Sequence, residues 1–303
     1  MPDRGITFSR DIGRNRYRPG YHRPLFLILY SSILAIFVPN KTHPMDYQFI
    51  SFTITGQVAT IQFNRPEVFN SIHRSMALEI QDALDACISD EVRCIVITGS
   101  GKAFCAGQDL NEVVDPEGPQ LQHIVRDHYN PIIRRIRTIE KPVICAVNGV
   151  AAGAGANIAL CGDIVVASAS ASFVQAFSRI GLIPDSGGTF FLPRLIGFGR
   201  ASALMMTGDK LPASDALAMG MLYKVFEDAD FAENVRALAL QMASMPTYGL
   251  ALTKKALNES MINHLDEQLD VEEKLQTLAG ASYDYNEGVA AFLEKRKPAF
   301  KGK

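Results

Sequence analysis

Three glycine-rich turns hold most of the residue types suited to chemistry in this chain. They are Gly101-Lys102-Ala103-Phe104-Cys105-Ala106-Gly107-Gln108-Asp109-Leu110, Asn148-Gly149-Val150-Ala151-Ala152-Gly153-Ala154-Gly155-Ala156-Asn157 and Gly181-Leu182-Ile183-Pro184-Asp185-Ser186-Gly187-Gly188-Thr189. Small residues let backbone N–H groups come close to a ligand. The second turn runs into a helical pattern at 157–161, and the free N–H groups of a helix N-terminus suit a developing oxyanion. Tight strand–helix packing also selects Gly and Ala, and for any one turn taken alone it is the favoured reading. None of the turns closes with Gly-Lys-Ser/Thr, and none spells a dinucleotide fingerprint. The third turn adds a titratable group, Asp185, which reads either as the N-cap of a helix opening at 187–189 or as a base. Cys105 reads as packing rather than a nucleophile, since no histidine accompanies it in sequence. His128, between Asp127 and Tyr129, reads as a half-exposed helix residue before a general base. No His, Cys and Asp group has metal-ligand spacing.

The elements that must position these turns follow from apolar periodicity. Residues 47–63 hold two β-branched and aromatic runs around Thr55-Gly56, which predicts a hairpin. Residues 72–88 put Met76, Leu78, Ile80, Leu84 and Ile88 on one helical face. The runs 92–98, 143–147 and 164–167 are apolar throughout, as strands buried on both faces are. Residues 99–107 read as loop and 120–139 as helix. Beyond 197 the pattern is almost entirely helical, broken at Gly220 and Pro246. Strands alternating with helices predict an α/β core over 45–235, followed by a helical region over 236–303.

Composition narrows the class. The 303 residues are 48% hydrophobic and 20% charged, with a net charge of −2. That suits a globular protein and argues against a nucleic-acid partner. The five cysteines (Cys87, Cys94, Cys105, Cys145, Cys161) show no CxxC spacing, which predicts buried thiols in a reducing compartment, the cytoplasm. Residues 1–44 differ from the rest. They carry seven Lys/Arg against two acids, and 25–38 is a fourteen-residue uncharged apolar stretch. Fourteen residues fall short of a membrane span, and no small-x-small cleavage site follows. This segment is expected to be an extension outside the fold, with translation beginning at Met45. Membrane or organelle targeting stays open, although a membrane association is not expected.

Four ordered motifs, NRPEVFNS, AFCAGQDL, KPVICAVNGVAAGAG and IGLIPDSGGT, resemble the enoyl-CoA hydratase/isomerase (crotonase) superfamily over about residues 47–303. The resemblance implies a spiral of ββα units and a helical C-terminal trimerisation region. It implies a homotrimer or a homohexamer built as a dimer of trimers, and acyl-CoA thioesters as substrates. It implies no metal and no separate cofactor, because coenzyme A arrives as part of the substrate.

Carried over residue by residue, the resemblance gives an oxyanion hole made of the backbone N–H groups of Gln108 and Ala154, lined by Gly107, Asp109, Asn157 and Phe177. The family's hydratases use two glutamates. Here those positions hold Asn157 and Phe177, which disfavours water addition. Asp185 then becomes the catalytic residue, a single carboxylate that takes a proton from one carbon and returns it to another. Apolar neighbours (Phe177, Ile183, Ala154) are expected to raise its pKa. The family position of a dehalogenase histidine aligns near Asn130, which disfavours that reaction. Coenzyme A is expected to lie against Arg65, Val68, Ala103 and Ala106, with Phe292 and Lys295 reaching it from the C-terminal segment. A merely solvated tail carries equal weight for the basic cluster there. Gly107–Leu110 followed by Val114–Pro119, the sequence LIPDSGGT and the tail GASYDYNEGVAAFLEKRKPAFKGK are most similar to members that isomerise a ring epoxide on a CoA thioester. A Δ3,Δ2-enoyl-CoA isomerase, an enoyl-CoA hydratase and a non-catalytic CoA-binding scaffold anchored by 25–38 are the alternatives.

Overall fold

The computed structural model describes residues 46–303; the expectations for 1–44 lie outside the described residues. Strands β1 (Ile50–Thr55) and β2 (Val58–Phe63) form the predicted antiparallel hairpin. Gly56 and Gln57 both take positive φ, as a two-residue turn matched to strand twist requires. Helix α1 (Arg74–Ala86) follows, with its first turn capped by the His73 ring, which accepts from Met76 N. Its buried face is Met76, Ala77, Ile80, Ala83 and Leu84, whereas Leu78 and Ile88 are exposed. Leu78 sits on the outer side of the helix and Ile88 lies beyond its end.

Three strand pairs come next. Strand β3 (Cys94–Gly99) leads to β4 (Ala103–Cys105), β5 (Val143–Val147) to β6 (Val150–Ala152), and β7 (Ile164–Ser168) to β8 (Ser172–Val174). The first member of each pair joins a six-stranded sheet of order β1-β2-β3-β5-β7-β10, and the second joins a four-stranded sheet of order β4-β6-β8-β9. Strands β9 (Lys210–Pro212) and β10 (Lys224–Phe226) close the two sheets. Helices follow the pairs: α2 (Leu110–Val114), α3 (Leu121–His123) and α4 (Asn130–Thr138) after β4; α5 (Ala154–Leu160) after β6; α6 (Gly188–Ile196), α7 (Phe198–Thr207) and α8 (Ala213–Ala218) after β8. This is the expected spiral of ββα units. Of the second sheet, β4 and β6 fall in stretches read from sequence as loop and glycine turn, β9 falls in the stretch read as helical, and β8 falls in one given no assignment. At three residues each, they are too short to show a period of two. The helix expected over 120–139 is interrupted, because Ile124–Tyr129 forms a π-helical turn between α3 and α4.

The alternation of side chains along the large sheet splits the core. Ile61, Ile95, Ile97, Cys145 and Val147 face the main cluster. Val58, Val96, Ile144, Ala146 and Val166 face Phe231, Val235, Ala239 and Ala243 of α9 (Phe231–Ser244). The boundary expected at 235 therefore falls inside α9, and the chain turns away at Met245-Pro246. Beyond it, α10 (Thr247–Ser260), α11 (Leu265–Gly280) and α12 (Tyr283–Leu293) form the C-terminal helices. Buried Lys254 of α10 pairs with Asp163 at 2.8 Å, and Arg137 of α4 pairs with the same carboxylate at 3.0 Å. Among the described residues no helix is long and apolar enough to cross a membrane.

Candidate active site

The first two glycine turns meet edge to edge. Gly107 takes φ +93, and a Cβ there would touch Ala152 O and Ala154 N. Gly153 caps α5 with φ 53 and ψ −128, a conformation open only to glycine, so Ala154 becomes the first helical residue, whose N–H has no partner within the helix. Parallel pairing beside Ile72 consumes Gly107 O and Asp109 N, both bonded to Ile72, and skips the amide between them. The N–H groups of Gln108 and Ala154 thus have no protein acceptor among the described residues. Phe177 is buried, and its ring edge approaches Gly153.

Asp185 comes to this place through α5. Asn157, one turn after Ala154, donates from Nδ2 to Asp185 O at 2.9 Å. Ser186 Oγ donates to Asp185 Oδ1 at 2.9 Å. Burial raises the Asp185 pKa, and the Ser186 hydroxyl pulls against that rise. Asp185 does not cap α6. The N-cap is Gly187 at φ 76, with no side-chain cap bond. Of the apolar neighbours expected around the carboxylate, Phe177 and Ala154 are buried, but Ile183 is 81% exposed and does not wall it in.

Several sequence expectations need correction. Asn157 is fully buried at 0% exposure, so it lies beneath the pocket rather than lining it. Asp109 is only 7% exposed, and its carboxylate is committed within the protein. It pairs with Arg65 Nη2 at 2.9 Å and caps α2 by accepting from Asn111 N. Arg65 also donates from Nη1 to Ser71 O at 2.6 Å, so two of its nitrogens are committed inside the protein. Val68 is half-buried, Ala103 is buried, and Ala106 N donates to Phe69 O, which seats the 65–70 segment against the first turn. Phe292 is 83% exposed on α12, where it borders a groove with Pro246, Gly249, Val289 and Phe300, and Lys295 follows that helix. Within one chain neither is brought to the turns. His128 is buried, not half-exposed, in the π-helical turn, and burial lowers its pKa. Cys105 is buried and its thiol is pushed up to about 12 by desolvation, so it is a poor nucleophile.

Sequence reasoning missed three neighbours of the site. Tyr129 is buried and donates its hydroxyl to Gln108 Oε1 at 2.9 Å, while Gln108 Nε2 donates to Glu112 Oε2 at 2.8 Å. Buried Gln175 donates from Nε2 to Asn157 Oδ1 at 2.8 Å. Asn70, buried at positive φ, holds Ser100 O and Ala103 O with its amide. Only Asn70 lay inside a recognised motif; the other two contacts have no sequence spacing. Among the described residues no group of three or more His, Cys, Asp or Glu is placed to hold a metal ion.

Two amides without protein acceptors and a half-buried carboxylate held through α5 can together polarise a carbonyl oxygen and move a proton near it. The enoyl-CoA hydratase/isomerase family model matches residues 53–303. The 1,2-epoxyphenylacetyl-CoA isomerase of Escherichia coli K12 is 50% identical over 260 residues, 84% of this chain and 99% of that protein. The trans-2-decenoyl-[acyl-carrier-protein] isomerase of Streptococcus mutans is 36% identical over 263 residues, 86% of this chain and all of that protein. The crystal structure of enoyl-CoA hydratase from Bacillus anthracis superposes with a TM-score of 0.81 at 33% identity, covering 84% of this chain and all of that one. This chain belongs to the enoyl-CoA hydratase/isomerase family.

Proposed function

We propose that this chain is an acyl-CoA isomerase acting on ring 1,2-epoxyphenylacetyl-CoA, with Asp185 as its single proton-transfer base. The observation that carries this reading is the half-buried, pKa-raised carboxylate of Asp185 in the turn that Asn157 of α5 holds, near two amides without a protein acceptor, with non-titrating Asn157 and Phe177 at the positions of the hydratase glutamates. Asp185 takes the proton from the carbon next to the thioester. The electron pair moves onto the thioester oxygen, where the Gln108 and Ala154 N–H groups stabilise it. As the enolate collapses, a double bond forms between the α-carbon and ring carbon 1, the carbon–carbon bond shared by the ring and the epoxide breaks while both C–O bonds stay, the ring double bonds shift to give the seven-membered oxepin, and Asp185 returns its proton to the ring carbon where the electron pair arrives. A base raised above the ordinary carboxylate range is stronger, which suits abstraction of a weakly acidic α-proton. The 50% identity to the E. coli isomerase supports the choice of acyl group and a place in phenylacetate breakdown.

A second reading, a Δ3,Δ2-enoyl-CoA isomerase, uses the same parts, since one carboxylate also shifts a double bond. The single-carboxylate site favours both isomerases over a hydratase. For coenzyme A, Val68, Ala103 and Ala106 supply backbone against the adenine, and Phe292 and Lys295 act from a neighbouring subunit of a homotrimer or homohexamer. Five free buried thiols support a cytoplasmic location. The test is Asp185→Asn assayed with the ring epoxide thioester and with 3-hexenoyl-CoA. Loss of turnover on both supports the single base, and unchanged turnover refutes it. Rapid addition of water to crotonyl-CoA by the wild type would instead make the protein a hydratase.

A further inference from the structure

We propose that Asn157 and Gln175 are positioning residues, a buried amide relay that sets Asp185 in place relative to the Ala154 amide. The proposal rests on the reading of Asp185 as the base. Ala154 and Asn157 stand three residues apart on α5 and so share one face of the helix. One rigid element therefore carries an oxyanion donor in its first turn and, from Asn157 Nδ2, the 2.9 Å tether to Asp185 O. The turn it holds is strained. Ser186 takes φ 50, uncommon for a residue with a side chain, and Gly187 follows at φ 76. A Cβ on Gly188 would run into the Asn157 amide, so the start of α6 is seated directly on the relay.

The polarity of the relay is forced. A carbonyl oxygen only accepts, so the Asn157 NH2 must face Asp185 O. Asn157 Oδ1 then faces Gln175, whose NH2 must face it in turn, at 2.8 Å. This arrangement leaves Gln175 Oε1 buried without a hydrogen-bond partner among the described residues, in a side chain only 4% exposed. An unpaired buried acceptor is destabilising, and an apolar pair would fill the same space without it. Stability is given up here in exchange for a fixed orientation of Asn157, and hence of the Asp185 turn. Ser186 Oγ does the corresponding work on the carboxylate itself.

The test uses the full chain with trans-3-hexenoyl-CoA, together with exchange of the α-protons of phenylacetyl-CoA in heavy water. Gln175→Met keeps length and removes the donor. Asn157→Leu keeps volume and removes the tether. Each is expected to lower kcat about 10–100-fold, because a 1 Å misplacement costs that order, with KM within about threefold. Proton exchange is expected to fall in parallel. The double variant is expected to be no slower than the slower single one, because both act through one chain of bonds. Additive losses, or a rise in KM with kcat unchanged, would assign the pair a merely structural role and overturn the relay. If Gln175→Met does not fold, the kcat-against-KM split of Asn157→Leu decides alone. A wild type that neither isomerises nor exchanges overturns the single-base reading and the relay with it. Activity in the wild type, its loss in Asp185→Asn, and Gln175→Met within threefold of wild type overturn the relay alone.

Discussion

Replacing Ala154 with proline removes one hydrogen-bond donor from the site while asking little of the fold. Ala154 is the first residue of α5, its N–H serves no internal bond, and proline is well accepted at that helical position. The preceding residue is Gly153, which has no Cβ to clash with the proline ring. The thermal midpoint is therefore expected to stay within a few degrees of wild type. The chemical loss is large. Removing one oxyanion donor typically costs about 2.7–4 kcal/mol, or roughly 10²–10³ in kcat, and the proline ring also fills the space the thioester oxygen needs. Ala154→Ser, which keeps the N–H with a similar volume, is the control and is expected to stay within about threefold of wild type. Both are assayed by the conjugated thioester formed from 3-hexenoyl-CoA, alongside circular dichroism. A folded Ala154→Pro protein with kcat within threefold of wild type would remove Ala154 from the oxyanion hole and refute the assignment.

Five further outcomes are expected. Burial raises the Asp185 pKa, so activity falls as pH drops through that raised value, and Ser186→Ala moves this acidic limb to higher pH in a pH–rate profile. The folded protein also binds that proton more tightly than the unfolded chain does. Asp185→Asn is thus expected to raise stability at neutral pH, a gain that disappears once pH falls below the ordinary carboxylate pKa of about 3.9, as chemical denaturation across pH would show. Asp163→Ala leaves Lys254, 6% exposed, without its partner and also removes an acceptor from Arg137 and Val143 N; urea denaturation is expected to show a loss of about 3–5 kcal/mol. Asp284→Ala frees the tail, since the buried Asp284 carboxylate accepts from Lys301 N and Gly302 N at 2.6 and 2.8 Å. Trypsin is expected to cut at Lys301 faster in that variant, and stability to drop by about 3–6 kcal/mol, the worth of two charge-assisted bonds. Tyr129→Phe removes the bond to Gln108 Oε1 and is expected to lower kcat about fivefold, the equivalent of roughly 1 kcal/mol; an unchanged kcat would show that the Gln108 amide holds its place without the phenol.

Much of the site is legible in the sequence because its parts are local. Gly107, Gly153 and Gly187 mark positive-φ turns by residue type alone, and the runs at 94–99, 143–147 and 164–168 declare buried strands through unbroken apolar character. Asp185 is conspicuous as the one acid in the third turn. Three-residue strands carry no such mark. The sheet β4-β6-β8-β9, which sets two of the glycine turns edge to edge, exists only through pairing between distant segments. Side-chain roles that depend on a partner far along the chain were likewise decided by tertiary structure. Asp109 found Arg65, and fully buried Asn157 met Gln175 and the Asp185 carbonyl. The physical reason is the same in each case. Backbone conformation and burial pattern are set within a few residues, whereas the partner of a buried polar group is fixed only when folding brings distant segments within hydrogen-bonding distance.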